Sequence, residues 1–247
     1  MKPLYVLFTA GLLSLCLTSC RTTSLLTATF ESDALGALPT KPLPGNPVGD
    51  SVVYQSVSNS RLRVQNSPIT TGQKALFYSQ APLTGSVTAF NQWLSFKGIR
   101  SDYNQTIWFH WTGKLNFDSG NLLIDIQGIQ SLWVARLKIF GNGDVWLIRD
   151  VANEQNHDVL GRLDRQAAHS FIFTLSPQAR TFNILLTGAQ GRSPITRTNL
   201  PVITVPNPAF SYDFERPSIS FRYENESISP ESAYIFEDMH IDRRQPD

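Results

Sequence analysis

The stretch that decides the fold is Gln105-Thr106-Ile107-Trp108-Phe109-His110-Trp111-Thr112-Gly113-Lys114-Leu115-Asn116-Phe117. Ile107, Phe109, Trp111, Leu115 and Phe117 fall on one parity, and Trp108, His110, Thr112 and Lys114 on the other. Alternation with period two describes a strand that turns one face to a core and the other to a wetter surface. Residues 132–140 repeat the pattern, with Trp133, Ala135, Leu137 and Ile139 opposite Arg136 and Lys138. Gly141-Asn142-Gly143-Asp144 then predicts a hairpin turn into Val145-Trp146-Leu147-Ile148. The face of Trp146 stays open at this point, because both parities of that run are apolar.

Working outward, Phe171, Phe173 and Leu175 alternate, as do Phe182, Ile184 and Leu186, and Ile219, Phe221 and Tyr223 alternate with Ser220 and Arg222. A first strand is expected over 27–31 and a last one over 233–241. Between them, residues 37–50 carry four prolines and two glycines, a composition that excludes helix and ladder alike and predicts a surface loop. No window of a dozen residues shows a 3.6-residue period. About a dozen short strands without internal repeat imply an all-β fold, two stacked antiparallel sheets in a jelly-roll sandwich.

The amino terminus reads differently. After Lys2 the chain runs from Leu4 to Leu17 without a charge, then reaches Thr18-Ser19-Cys20. That is the layout of a signal peptide, and the run is shorter than the roughly 20 residues a spanning helix needs. Leu17-Thr18-Ser19-Cys20 resembles the lipobox of bacterial lipoproteins, which implies removal of residues 1–19 and acylation of Cys20. Export to the bacterial cell envelope follows as an expectation, with a membrane partner through the lipid and residues 20–26 as a short tether. The sandwich is then expected over 27–242 and a polar tail over 243–247. Cys16 would leave with the leader, so the mature chain has neither a disulfide nor a cysteine metal site. Loss of Lys2 from 21 basic residues leaves 20 against 20 acidic ones, a balance that gives nucleic acid no basic footprint.

The order of pieces also resembles the concanavalin A-like lectin and glucanase jelly roll, in particular its laminin-G-like members. Phe30-Glu31 before a Gly/Pro-rich loop, the Trp-rich central strand, Arg180-Thr181-Phe182-Asn183-Ile184-Leu185-Leu186-Thr187-Gly188 and the closing Ile235-Phe236-Glu237-Asp238-Met239-His240-Ile241 carry the likeness. The resemblance implies adjacent terminal strands, a structural calcium ion held by Glu31 and Asp238 with oxygens from Ser32 and Asp33, and a glycan on one sheet. Calcium suits such hard carboxylate ligands.

Retaining glycoside hydrolysis needs two carboxylates about 5 Å apart, and no strand shows that acidic spacing. His110, His157, His169 and His240 lack a metal-ligand spacing, and no Ser/His/Asp set assembles from their order. A binding surface is the better expectation. Trp108, His110, Arg136 and Arg222 all lie on the parity opposite the core, and an indole with guanidinium and imidazole donors suits a polysaccharide or oligosaccharide. Packing beneath loops is the plainer reading of the same residues. The expectation is a non-catalytic carbohydrate-binding lipoprotein; the alternatives are a divergent polysaccharide hydrolase or lyase and a structural envelope protein.

Overall fold

A computed structural model describes residues 24–40, 54–56, 61–81, 93–99, 105–128, 133–188, 193–203, 216–224 and 231–245. The expected leader, Cys16, Cys20 and most of the expected proline-rich loop lie outside the described residues. In chain order the strands are β1 (Ser24–Ala28), β2 (Tyr54–Ser56), β3 (Leu62–Asn66), β4 (Lys74–Ser79), β5 (Trp93–Lys97), β6 (Ile107–Asn116), β7 (Asn121–Gln127) and β8 (Trp133–Phe140). They continue as β9 (Asp144–Ile148), β10 (His157–Arg162), β11 (His169–Ser176), β12 (Thr181–Thr187), β13 (Ile195–Pro201), β14 (Ser218–Tyr223) and β15 (Ala233–Asp242).

Two antiparallel sheets form the sandwich. The first runs β13-β12-β11-β6-β15-β4-β3, and the second runs β10-β9-β8-β7-β14-β5-β2. The chain passes from one sheet to the other between β1 and β2, β2 and β3, β4 and β5, β5 and β6, β6 and β7, β10 and β11, β13 and β14, and β14 and β15. Such winding is that of a jelly roll, as the alternation of short strands predicts.

The central strand β15 pairs with β6 along one edge. On its other edge lie β4 beside residues 233–236 and β1 beside residues 239–242, end to end. The terminal strands are therefore neighbours. The first strand starts earlier than the sequence implies, because Leu25 and Leu26 are core residues and Phe30 takes a left-handed φ of 58° that turns the chain out. Residues 24–26 thus belong to the sheet and not to a tether.

Inward residues follow the sequence parity. Ile107, Phe109, Trp111 and Leu115 of β6 pack with Phe171, Phe173 and Leu175 of β11 and with Ile219 and Phe221 of β14. Trp111 stacks on Phe171 at 4.8 Å between centroids and on Phe173 at 5.9 Å. The core also holds a polar chain. Trp111 Nε1 donates to Tyr234 Oη at 3.0 Å, and Tyr234 Oη lies 2.7 Å from His169 Nε2. An indole only donates, so Tyr234 Oη accepts from Trp111 and keeps its own hydrogen and a second lone pair for the contact with His169 Nε2. Gly113 makes room for this chain, since a Cβ there would stand 2.6 Å from Tyr234 Oη.

A bulge interrupts β15 between Phe236 and Asp238. Before it Tyr234 and Phe236 face the core; after it Met239 and Ile241 do. The extra residue, Glu237, is buried and accepts hydrogen bonds from Ser67 Oγ and Thr70 N. This single insertion moves Asp238, His240 and Asp242 onto the outer face of the first sheet, as a bulge must.

Candidate functional site

The four residues expected to form one groove divide between the two sheets. Trp108 and His110 lie on β6 in the first sheet, whereas Arg136 on β8 and Arg222 on β14 lie in the second. Outer faces of a two-sheet sandwich point in opposite directions, so the expectation of one shared face is corrected. Parity identifies the side of a strand; it says nothing of the sheet that strand joins.

On the first sheet, three rows of outward residues cross β15, β6 and β11: Asp242-Trp108-Thr174, His240-His110-Ile172 and Asp238-Thr112-Ser170. His110 and His240 stack with centroids 4.5 Å apart and planes 6° from parallel. His110 Nε2 lies 3.2 Å from Asp242 Oδ2, and His240 Nε2 lies 4.0 Å from Asp238 Oδ2. Burial, and next the charge of His110, hold His240 below the usual histidine range against the opposing pull of Asp238 and Asp242. Asp242 went unnoticed in the sequence and His240 showed no metal-ligand spacing there, because only the bulge turns them outward.

On the second sheet, one row crosses Ser95, Ser220, Asp125, Arg136, Ile148 and His157. The adjacent row crosses Trp93, Arg222, Leu123, Lys138, Trp146 and Val159. On this face Ser95, Leu123, Arg136, Ile148 and Ser218 are buried although they alternate with core residues. Its polar groups are matched in pairs. Ser220 Oγ donates to Ser95 Oγ, and Arg136 binds Asp125 through Nε to Oδ1 at 2.6 Å and Nη2 to Oδ2 at 2.9 Å. The Arg136 fork expected to hold a ligand therefore holds Asp125. Asp125 is half of a two-bond pair.

Lys138 Nζ reaches Glu154 Oε2 at 2.7 Å and Glu224 Oε2 at 2.8 Å. Burial acts to lower the lysine's pKa, but the bonds to Glu154 and Glu224 overcome it and the net shift is upward. Those two carboxylates converge on the same ammonium. The ammonium fills the space between them where an anomeric carbon would sit. Trp146 stacks on His157 at 3.7 Å and meets Phe140 edge-on at 4.5 Å. Its outward position resolves the ambiguity left by its sequence.

Glu31 and Asp238 serve separate donors. Glu31 Oε1 accepts from Lys74 N at 2.9 Å, and Asp238 Oδ1 accepts from Thr112 N at 2.8 Å. Lys74 Nζ donates to the carbonyls of Glu31 at 2.9 Å and Asp33 at 2.5 Å. Asp33 Oδ1 takes the Thr40 amide and hydroxyl, and only its buried Oδ2 lacks a partner. Calcium requires six to eight oxygens, and here the Lys74 ammonium takes the carbonyl oxygens of Glu31 and Asp33, while the Glu31 and Asp238 carboxylates accept from separate backbone amides.

No protein-family model matches the chain, and no curated protein matches it. Among solved structures it is similar to the botulinum neurotoxin serotype D binding domain, with 14% identity over 91% of this chain and 49% of that one and a TM-score of 0.48. Peanut lectin bound to a nine-residue peptide shares 10% identity over 76% of this chain and 96% of the lectin, at 0.40. A sialidase shares 14% over 77% of this chain, which spans 16% of that protein, at 0.43. The fold class, an all-β two-sheet jelly-roll sandwich, rests on the strand order itself.

Proposed function

We propose that the chain is an exported, lipid-anchored cell-envelope protein whose sandwich binds a carbohydrate, without catalysis, on the outer face of the second sheet. The observation that carries the reading is the row Trp93-Arg222-Leu123-Lys138-Trp146. It sets half-buried indoles at both ends of a row with charged groups between them. Four interstrand steps of about 4.8 Å separate those indoles, a span of about 19 Å that suits a short oligosaccharide. Indoles offer flat apolar platforms to sugar faces, and the intervening polar groups supply direction. Binding is preferred to hydrolysis because the converging carboxylates are both bonded to Lys138.

The test is a glycan array probed with the full chain in mild detergent, then with Trp93→Ala, Trp146→Ala and Trp108→Ala. Loss of binding in the first two with retention in the third supports the reading. Failure to retain any glycan, or loss confined to Trp108→Ala, overturns it. The anchor has its own assay: labelled fatty acid should enter the parent chain and not Cys20→Ser. Equal labelling would remove the lipoprotein part alone.

A further inference from the structure

We infer that His110, His240 and Asp242 form a binding site for a first-row transition-metal ion, zinc foremost, on the outer face of the first sheet. The ligand atoms of these three side chains all lie within 4.8 Å of one another, and they are the one such trio among the described residues. The site lies on the opposite side of the sandwich from the carbohydrate face and does not depend on it.

The chemistry follows from the ligands. Two imidazoles and one carboxylate match a borderline cation such as Zn²⁺, which takes His nitrogen at about 2.0 Å and carboxylate oxygen at about 2.1 Å. Backbone pairing fixes the frame: His240 is the register partner of His110, and Asp242 lies two residues farther along β15, opposite Trp108. Closing the ligand atoms around one ion therefore requires side-chain rotation alone. The side chains of His110, His240 and Asp242 are 21%, 23% and 18% exposed, recessed yet open to an entering ion.

The surroundings favour the same state. His110 Nε2 and Asp242 Oδ2 already lie 3.2 Å apart, close to the separation of two ligands on one tetrahedral ion. Asp238 lies beside His240 and adds negative charge, while its Oδ1 stays on the Thr112 amide. Three protein ligands leave a fourth position facing solvent, the arrangement of a site that accepts water or an external oxygen donor. Such an ion would also clip the last strand to β6.

The experiment takes the full chain, stripped with chelator in mild detergent, and titrates it calorimetrically with ZnCl₂ and spectroscopically with CoCl₂. One zinc per chain with micromolar or tighter affinity is expected, with the visible absorption of a four- or five-coordinate cobalt. His240→Gln and Asp242→Asn should each weaken binding at least about tenfold, and His110→Gln combined with His240→Gln should abolish it. Calcium, a poor partner for imidazole, should not compete. Melting curves in chelator establish that each variant folds. Where one does not, cobalt-induced shifts of the His110 and His240 ring protons in the parent chain, with those of His157 and His169 unmoved, decide the question. Absence of stoichiometric zinc binding, unchanged affinity in the folded double variant, or cobalt shifts at the other histidines instead would overturn the site.

Discussion

Arg136 and Asp125 face each other across β8 and β7 and are joined by two parallel hydrogen bonds of 2.6 and 2.9 Å. The arginine side chain is 8% exposed and the aspartate 18%, so the pair is largely withdrawn from water. Removing one partner from such a pair leaves an uncompensated charge. Asp125→Ala is expected to destabilise the chain by about 3 kcal/mol, as breaking a buried ion pair does. Arg136→Lys should recover only part of the stability, because an ammonium cannot reproduce the planar fork. Urea unfolding midpoints of the three chains check this; equal midpoints for parent and Asp125→Ala would show the pair to be energetically idle.

Trp111 gives the sharper packing test. It is fully buried, stacks on two phenylalanines and donates to Tyr234, while its neighbour Thr112 points outward. Trp111→Ala should cost about 3 to 5 kcal/mol, the usual penalty for truncating a core aromatic. Thr112→Ala should cost far less. Comparable shifts in the two unfolding curves would contradict the assigned faces of β6.

What the sequence makes legible follows from this contrast. Alternation within one strand is local, so the inward faces of β6, β11, β12 and β14 can be read directly, and so can the hairpin at 141–144. Sheet membership is long-range: nothing near Trp108 or Arg136 records that β6 pairs with β15 while β8 pairs with β7 and β9. The bulge at Glu237 hides the rest, because a uniform parity through β15 places Asp238, His240 and Asp242 with Tyr234 and Phe236. The His110-His240 stack joins residues far apart in the chain, and a one-residue slip decides whether they meet.

Lys74 ties β4 to the turn after β1. Its ammonium bridges the carbonyls of Glu31 and Asp33, and its amide donates to the Glu31 carboxylate. Lys74→Met keeps the aliphatic stem but leaves both carbonyls without this donor, for a loss of about 1 to 2 kcal/mol. Calcium added to metal-stripped parent chain should leave its melting curve in place. A calcium-dependent rise abolished by Glu31→Gln would instead restore the ion expected from the sequence.

His169 predicts a pH dependence whose sign is fixed by its burial. The ring lies in the core, bonded only through Nε2 to Tyr234, with Nδ1 unpartnered. Desolvation pushes its pKa down to about 3, whereas the unfolded chain carries a histidine near 6.5. Between those values the unfolded state binds the extra proton, so stability rises with pH. The contribution of His169 is fully present above about pH 6.5 and falls by up to about 1.4 kcal/mol per unit as the pH drops toward 3. Most carboxylates titrate below about pH 4.5, which leaves a window from roughly 6 to 4.5 dominated by histidines. His240, also held below its usual range, contributes there with the same sign, so the parent must be compared with a variant in identical buffers. His169→Gln keeps a polar partner for Tyr234 and removes the titrating group. Its urea midpoint should start lower at neutral pH and then decline less steeply through that window than the parent's. Parallel declines would assign the acid sensitivity to other groups and show that His169 does not protonate on unfolding.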